Sequence, residues 1–373
     1  MTEHNQERFP LKMQPNRVWR IYLGGKLLDE FCGAEQGKDS YYPEDWLASL
    51  VQANNLPREG KPEKEGLSRT EDGDYLCDVL AKDPEGYFGA RHLESLGQNL
   101  GILVKFLDSA ERLPIQVHPD KQKAREFFCS DFGKTEAWYI LGGREIDGEE
   151  PYILLGFKPG ITRETWQSYF DAQDIDAMAN SLHRIPVKPG EMYLVQGGTP
   201  HAIGSGVLLL EIQEPTDYTI SVERQTPQGE VLDEYMLHQG IGFDRMMQCF
   251  HYQGMSESEM LSKFKCEPVC LQQNDDVRVD SLIDYTRTKA FALKRIEVYG
   301  RYLHQSKEAP SLLVAVSGRA TWSCGTNEGR LDRGEVLFLP ANMQDFTVRC
   351  EGEKPLVMLE CLPPKIELDK HGD

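Results

Sequence analysis

The run Leu-Pro-Ile-Gln-Val-His-Pro-Asp at residues 113–120 decides the fold of this 373-residue chain. In it, Gln116 and His118 stand two residues apart among β-branched and apolar neighbours. Side chains alternate between the two faces of a β-strand, so we expect the amide and the imidazole to point the same way. This pair is the first half of a candidate active site.

Two later segments supply the other half. Glu136 stands before the strand-like run Ala-Trp-Tyr-Ile-Leu, and His201 ends the turn-like sequence Gly-Thr-Pro-His. Two imidazoles, a carboxylate and an amide oxygen form a mixed set of ligands that suits zinc or another divalent first-row metal. We therefore predict that Gln116, His118, Glu136 and His201 bind one metal ion.

Composition excludes several classes of function. The formal net charge of -19 argues against sequence-independent binding of nucleic acid, which needs a basic surface. The first residues lack the basic and apolar regions of a signal peptide, and no apolar run reaches membrane-spanning length. The nine Cys include no Cys-x-x-Cys pair, which fits free thiols in a reducing compartment. These features predict a cytoplasmic protein that binds neither nucleic acid nor membrane.

Short apolar runs divided by Gly and Pro dominate the chain and predict strands in barrels or jelly rolls. Residues 16–31 read as a strand interrupted at a Gly-Gly turn, and residues 291–362 read as a second all-β stretch. Apolar residues recur at helical intervals over residues 162–182, which predicts one or two helices. Ser256 with Glu259 three residues later is a capping-box signature for a further helix.

The spacing around His201 is the most specific signal in the sequence. Gly190, Gln196, Gly198 and His201 follow the second motif of cupin barrels, with Gln in place of the usual Pro. A glycine also follows Glu136 after six intervening residues, as in the latter half of the first cupin motif. A single histidine on an apolar strand is more often a core residue than a ligand. Because two half-motifs occur in the expected order, we favour the metal site.

The second all-β stretch repeats one motif without its imidazole. Gly334, Pro340, Asn342 and Asp345 keep the spacing of the second cupin motif, with Asp where His would stand. No pair of histidines precedes this motif in the neighbouring strands. One carboxylate cannot supply the three protein ligands typical of a catalytic zinc. We predict that this half is a metal-free cupin.

These observations predict a mainly β protein with two double-stranded β-helix (cupin) barrels per chain and a small helical insertion. We place a catalytic, metal-binding cupin domain with the insertion at residues 1–250. A degenerate C-terminal cupin domain would occupy residues 251–373. The expected cofactor is one metal ion per chain, either zinc or another divalent first-row metal.

Three segments resemble the type I mannose-6-phosphate isomerase (phosphomannose isomerase) family: Ile-Gln-Val-His-Pro-Asp, Gly-Lys-Thr-Glu-Ala-Trp-Tyr-Ile and Gly-Thr-Pro-His-Ala-Ile-Gly. The resemblance covers about residues 15–245, with the motifs in family order. It implies a zinc-dependent bicupin that interconverts mannose 6-phosphate and fructose 6-phosphate through an enediol(ate). By matching positions, the family's metal ligands would fall on Gln116, His118, Glu136 and His201.

The chain departs from this family at one position. The family carries an arginine with a catalytic role on the strand that follows the Leu-Glu segment. Counting from His201 without gaps puts Ser221 at that place, and Arg224 comes three residues later. Residues an odd number of positions apart on a regular strand point to opposite faces. Arg224 can therefore replace the family arginine only if a bend or bulge interrupts the strand. We predict that Arg224 does replace the family arginine. The alternative is that its side chain faces solvent.

Two further residues are candidates for contact with substrate. Lys134 would share a strand face with Glu136 and could meet a phosphate as a point charge, unless it is a surface lysine. Glu211 stands among leucines, where burying a carboxylate is costly unless it is paired or used. We predict a catalytic role for Glu211, although a metal-bound hydroxide or another carboxylate could equally be the general base.

Two alternatives belong to other classes of protein. A non-catalytic sugar-phosphate-binding cupin would keep the fold and lose the base or the arginine. A metal-dependent cupin dioxygenase would share the ligand set but usually needs an open apolar pocket. The favoured reading is an isomerase acting on a sugar phosphate, present as a monomer or a homodimer.

Overall fold

The structure is a computed structural model that describes residues 8–226, 228–305 and 308–366. The elements of its first part are, in chain order, β1 (Leu11–Lys12), β2 (Arg17–Val18), α1 (Lys26–Phe31), β3 (Glu44–Leu47), α2 (Leu76–Leu80), α3 (Pro84–Phe88), α4 (Ala90–Leu96), β4 (Leu103–Asp108), β5 (Gln116–Val117), α5 (Lys121–Phe128), β6 (Glu136–Gly143), β7 (Tyr152–Phe157), α6 (Arg163–Ala172), α7 (Ile175–Asn180), β8 (Leu182–Pro186), β9 (Met192–Val195), β10 (His201–Ile203), β11 (Val207–Gln213), β12 (Ile220–Ser221), α8 (Glu234–His238) and α9 (Phe243–Gln248).

The elements of the second part are α10 (Glu257–Phe264), β13 (Val269–Gln273), β14 (Val277–Ile283), β15 (Ala292–Val298), β16 (Arg301–His304), β17 (Ser311–Ser317), β18 (Arg319–Cys324), β19 (Asn327–Asp332), β20 (Val336–Leu339), β21 (Phe346–Cys350) and β22 (Leu356–Leu362). The mainly β class is confirmed. None of the helices among the described residues is both long enough and apolar enough to cross a membrane.

The strands form two pairs of sheets. The first pair combines a five-stranded sheet in the order β12-β5-β10-β7-β8 with a six-stranded sheet in the order β2-β3-β4-β11-β6-β9. The second pair combines a seven-stranded sheet, β1-β20-β17-β22-β15-β14-β13, with a four-stranded sheet, β16-β21-β18-β19. Each pair encloses its own apolar cluster. The closure of each pair into a cupin barrel stays a prediction.

A third apolar cluster joins the two pairs of sheets. It includes Val104 and Ile212 from the six-stranded sheet and Leu312 and Leu359 from the seven-stranded sheet, all at most 1% exposed. Strand β1, near the start of the chain, pairs with β20 of the second sheet pair. Helix α10 contributes its buried apolar residues to the first pair. The two halves of the chain therefore contribute residues to each other's sheets and apolar clusters. The predicted domain boundary at residue 250 stays a prediction.

Local sequence signals predicted two helical regions correctly. Helices α6 and α7 fill the stretch predicted to be helical, and α10 begins with the expected capping box between Ser256 and Glu259. The predicted strand over residues 16–31 was wrong, because its second half is helix α1. The Asp108 carboxylate accepts hydrogen bonds from the backbone N–H groups of Gly25 and Leu27 at 3.0 and 2.6 Å. This carboxylate, on the distant strand β4, caps the helix, so no local residue signals its start.

Candidate active site

Three of the predicted ligands meet in the interior of the first sheet pair. The ligand atoms of His118, Glu136 and His201 lie within 4.8 Å of one another, and each residue is at most 1% exposed. Oε2 of Glu136 lies 3.1 Å from Nε2 of His118, and its Oε1 lies 3.2 Å from Nε2 of His201. The carboxylate therefore stands between the two imidazoles.

The sheet register places the fourth predicted ligand beside them. Gln116 on β5 pairs directly with His201 on β10 and, across its other edge, with Ser221 on β12. Residues directly opposite one another in an antiparallel ladder share a face of the sheet. The half-buried Gln116 therefore points to the same side as His201 and lines a cavity beside the ligand group.

The chemistry of these atoms fits a divalent metal ion. Oε1 of Glu136 and Nε2 of His201 are buried and have no hydrogen-bond partner. Nδ1 of His201 lies 2.9 Å from the Thr199 carbonyl oxygen, which can only accept, so Nδ1 carries the proton. The lone pair of Nε2 is then directed at the group, as in metal-binding histidines. Buried acceptors without donors are costly, and a cation would satisfy them.

Burial and neighbouring charges prepare the group for a metal. Burial, followed by the Lys134 ammonium, lowers the pKa of His118 to about 3. For Glu136, burial acts in the opposite sense, but Lys134 and the two imidazoles hold the pKa of the carboxyl well below its usual range. At neutral pH, therefore, the His118 imidazole is uncharged and the Glu136 carboxylate is ionised, which are the protonation states that metal binding requires.

Lys134 lies against the ligand group. Its Nζ is 3.0 Å from Nε2 of His118 and 3.2 Å from Oε2 of Glu136, and the residue is only 3% exposed. Lys134 also lines a cavity that opens from this point. Lys134 therefore lies between the ligand group and the cavity.

Polar side chains of four kinds line this cavity. They are the cations Arg20, Lys105 and Lys134; the carboxylates Glu44, Glu211 and Asp217; the amides Asn54, Asn55, Gln116 and Gln239; and the hydroxyls Tyr22, Thr219 and Ser221. The structure thus brings Gln116, Lys134 and Glu211 to one cavity, and the roles assigned to them from the sequence stay predictions.

Glu211 is held by two donors on the neighbouring strands. It pairs with Lys105 on β4 and with Trp138 on β6, and it is 3% exposed. Its carboxylate lies 3.0 Å from Nζ of Lys105, and Nε1 of Trp138 donates to Oε2 at 3.2 Å. Burial, followed by repulsion from Glu136, raises the pKa of the Glu211 carboxyl. The carboxylate is thus fixed in position beside the ligand group.

A second charged network, which sequence reasoning missed, continues from Lys105. Nε of Arg20 donates to Glu44 at 2.9 Å, and the Arg20 guanidinium holds both oxygens of Asp217 at 3.0 and 3.2 Å. Lys105 lies 3.7 Å from the same Glu44 carboxylate. Burial opposes ionisation of Glu44, but Arg20 and Lys105 lower its pKa to about 2. The pattern that identified Glu211, a charge among apolar strand residues, also marks Lys105.

Arg224 lies apart from the cavity-lining residues. Its guanidinium stacks over the rings of Phe170 and Phe243, at 4.7 and 5.4 Å from their centroids. Its backbone N–H donates to the Gln173 side chain at 2.8 Å. Ser221 lines the cavity instead. The described geometry does not support the predicted catalytic role of Arg224, which stays a hypothesis.

The corresponding place in the second sheet pair is different. Asp345 is exposed and directly precedes the buried Phe346 on β21. Within residues 8–226, 228–305 and 308–366, the group of His118, Glu136 and His201 is the one cluster of His, Cys, Asp or Glu suited to a metal. The absence of metal from the second half stays a prediction.

Comparison with known proteins agrees with this geometry. Residues 62–136 match the catalytic domain of phosphomannose isomerase type I. The chain is 27% identical over 352 residues to the probable mannose-6-phosphate isomerase GmuF of Bacillus subtilis, covering 92% of this chain and 97% of that protein. It is 37% identical over 147 residues to the mannose-6-phosphate isomerase of Streptococcus mutans, covering 38% of this chain and 44% of that protein.

Solved structures show the same fold. The mannose 6-phosphate isomerase from Bacillus subtilis superposes with a TM-score of 0.73 at 22% identity, covering 95% of this chain and 99% of that one. A putative mannosephosphate isomerase from Archaeoglobus fulgidus gives a TM-score of 0.69 at 17% identity, with 97% and 100% coverage. In its motifs, its buried ligand group and these matches, the chain is similar to the type I phosphomannose isomerases, whose catalytic domain it matches over residues 62–136.

Proposed function

We propose that this isomerase depends on one zinc ion and interconverts mannose 6-phosphate and fructose 6-phosphate through an enediol(ate). The observation that carries the proposal is the buried group of His118, Glu136 and His201 beside a cavity with many polar side chains. Its orphaned acceptor atoms suit a cation, and the cavity beside it presents a fixed carboxylate at Glu211.

Gln116, His118, Glu136 and His201 would hold the metal. When bound, the metal supplies a Lewis acid that stabilises negative charge developing on a substrate oxygen. The neutral His118 imidazole and the ionised Glu136 carboxylate need no large proton rearrangement to bind it.

Glu211 is our proposed proton-transfer group. Isomerisation moves a proton between the first two carbons of the sugar, and the base must lie within hydrogen-bond reach of that proton. Lys105 and Trp138 hold the Glu211 carboxylate from two sides, which restricts its rotation. Lys134 would donate to a substrate oxygen beside the ligand group, as a point charge. The raised pKa of Glu211 favours its taking up a proton.

A coupled assay on mannose 6-phosphate, combined with metal analysis of the purified chain, tests this function. We expect stoichiometric zinc, loss of turnover with a chelator and recovery when zinc is returned. Binding of the sugar phosphate without turnover in the zinc-loaded protein would favour the non-catalytic alternative. Oxygen consumption with iron(II) in place of zinc would favour the dioxygenase.

Three further points belong to the same proposal. The chain would be cytoplasmic, as a monomer or a homodimer. Residues 1–250 would form the catalytic domain and residues 251–373 the degenerate domain. Arg224 remains a catalytic candidate from the sequence, although its stacking on Phe170 and Phe243 argues against that role.

A further inference from the structure

The backbone that follows His118 is packed closely between two glycines. A Cβ atom at Gly133 would lie 2.7 Å from the Pro119 carbonyl oxygen, and one at Gly197 would lie 2.7 Å from the Cα atom of Asp120. Real Cβ atoms do not come this close to other atoms, so each approach depends on the absence of a side chain. These two glycines belong to the segments that lead into the other two members of the ligand group. The three ligand-bearing segments therefore meet at one point.

Backbone hydrogen bonds join the same three segments. The N–H of Gly198 donates to the His118 carbonyl oxygen at 2.8 Å. The N–H of Lys134 donates to the Pro119 carbonyl oxygen at 3.0 Å. Each of these bonds connects one ligand-bearing segment to another. The backbone thus sets the distances from which the ligand side chains reach towards one another.

A histidine from outside these segments lies across two of them. His251 follows helix α9, and its backbone N–H donates to the Gly198 carbonyl oxygen at 2.8 Å. Its ring lies against Gly198, because a Cβ atom there would be only 2.4 Å from Nδ1 of the ring. Nε2 of the ring lies 2.9 Å from Oδ2 of Asp120 and donates to it, since an ionised carboxylate can only accept. The ring therefore connects the segments that carry His118 and His201.

Asp120 is itself held in place. Its Oδ1 accepts a hydrogen bond from the N–H of Lys123 at 2.8 Å and so caps helix α5. One carboxylate oxygen thus serves the helix, and the other serves His251. The His251 side chain is 57% exposed, and pairs of this kind add little stability to a fold. What the contact provides is a fixed spacing between two segments.

We propose that His251 is a positioning residue for the metal ligands, which holds the segments of His118 and His201 at the spacing that a metal ion requires. This inference rests on the proposed metal site. Metal–ligand bonds have a narrow range of lengths near about 2 Å, so a small shift of either segment weakens binding. Replacing residues that orient metal ligands lowers metal affinity by about 10- to 100-fold. Because His251 acts through the backbone, we expect an effect at the lower end of that range.

The main experiment measures the zinc dissociation constant of the purified chain by competition with a coloured chelator. His251→Ala should weaken zinc binding about tenfold. His251→Gln keeps an amide donor for Asp120 and should stay within about threefold of the wild type. The control is Arg125→Ala, which removes an exposed ion pair with Asp131 on α5 and should change nothing.

The outcomes separate this inference from the proposed function. Equal zinc affinity in the wild type and in His251→Ala would overturn the inference while leaving zinc dependence intact. A wild-type chain that binds no zinc would instead reject the proposed function, together with the inference that rests on it.

Denaturant unfolding of the metal-free chains distinguishes positioning from general stabilisation. We expect the midpoint of unfolding to be the same for the wild type and for His251→Ala, because an exposed pair adds little stability. A lower midpoint in His251→Ala, with a loss of zinc that His251→Gln does not restore, would show that the residue only stabilises the fold. That result would also overturn the inference.

A double-mutant cycle tests the route through Asp120. Asp120→Ser keeps a side chain that caps α5 and removes the oxygen that meets His251. In this background, His251→Ala should weaken zinc binding by about threefold or less, since the contact is already lost. A full tenfold loss in both backgrounds would show that His251 does not act through Asp120, and would count against the inference.

Discussion

The two pairs of sheets carry the same motif spacing and use it in opposite ways. In the first pair, the spacing ends at His201, which is fully buried and faces Gln116 across the ladder. In the second, it ends at Asp345, which is exposed, while the next residue, Phe346, packs inside. The spacing therefore specifies a turn between strands, and the opposing strand decides whether a ligand group forms.

The interiors differ accordingly. The second pair encloses mainly aliphatic and aromatic side chains such as Leu313 and Phe346. It also buries a smaller polar group, in which His304 and Glu360 lie 2.9 Å apart. The first pair buries Lys134, Glu136 and the other charged residues of the cavity, and burial of charge is costly even when it is paired. The apolar interior of the second pair therefore stabilises the fold. The buried charged cluster that forms the site in the first pair does not add stability in this way.

The largest expected effect is at the ligand group. His201→Ala should abolish stoichiometric metal binding and lower turnover by at least about 10³-fold, since it removes one of few ligands. Metal analysis and the coupled assay measure both quantities. Asp345→Ala, the matched change in the second pair, should alter neither. A loss of metal in the Asp345 variant would contradict the inference that only the first pair of sheets holds the metal.

Removing apolar volume from the second interior should affect stability alone. Phe346→Ala should lower the free energy of unfolding by about 3–5 kcal/mol, because it opens a cavity in a packed core. Denaturant titration measures this loss. Metal content per folded chain should stay unchanged, and a metal-deficient folded variant would show that the two interiors are coupled.

Glu44 links stability to pH in the first pair. Its pKa falls from 4.5 to about 2 on folding, so its ionised form stabilises the protein by about 3 kcal/mol above pH 4.5. That contribution is lost as pH falls from 4.5 towards 2. Glu44→Gln should therefore destabilise the protein at pH 7, and its deficit should shrink over that range. Unfolding curves at several pH values provide the check, and a deficit independent of pH would contradict the assignment.

Glu211→Gln should lower turnover by about 100-fold or more without loss of metal, on the scale of removing one general acid–base group. The amide keeps the shape of the side chain and its contact with Trp138. Steady-state kinetics with metal analysis separate this result from a structural defect. Turnover close to that of the wild type would assign proton transfer to another group.

The smallest expected effect is at Arg224. Its stacking on Phe170 and Phe243 predicts that Arg224→Ala changes turnover by less than about threefold and costs about 1 kcal/mol of stability. A catalytic guanidinium would instead be worth about 100-fold in turnover. A loss of that size would restore the role predicted from the sequence.

The sequence was most informative where local spacing determines geometry. Strand alternation and motif spacing identified His118, Glu136 and His201, which the structure brings together. Arg20 and Asp217 stand 197 residues apart outside the strands, so neither periodicity nor spacing could pair them. Helix α1 was missed for the same reason, since its cap comes from a strand far along the chain.

Strand β1 has a consequence for dissecting the protein. Leu11 and Lys12 are hydrogen-bonded to β20 of the second sheet pair, and Arg20 follows only eight residues after them. A fragment ending at residue 250 would leave β1 without its partner strand and would release one end of the segment that carries Arg20. Among the described residues, the second half provides no side chain to the cavity lining. Its contribution to the site is instead to anchor, through β20, the segment that carries Arg20.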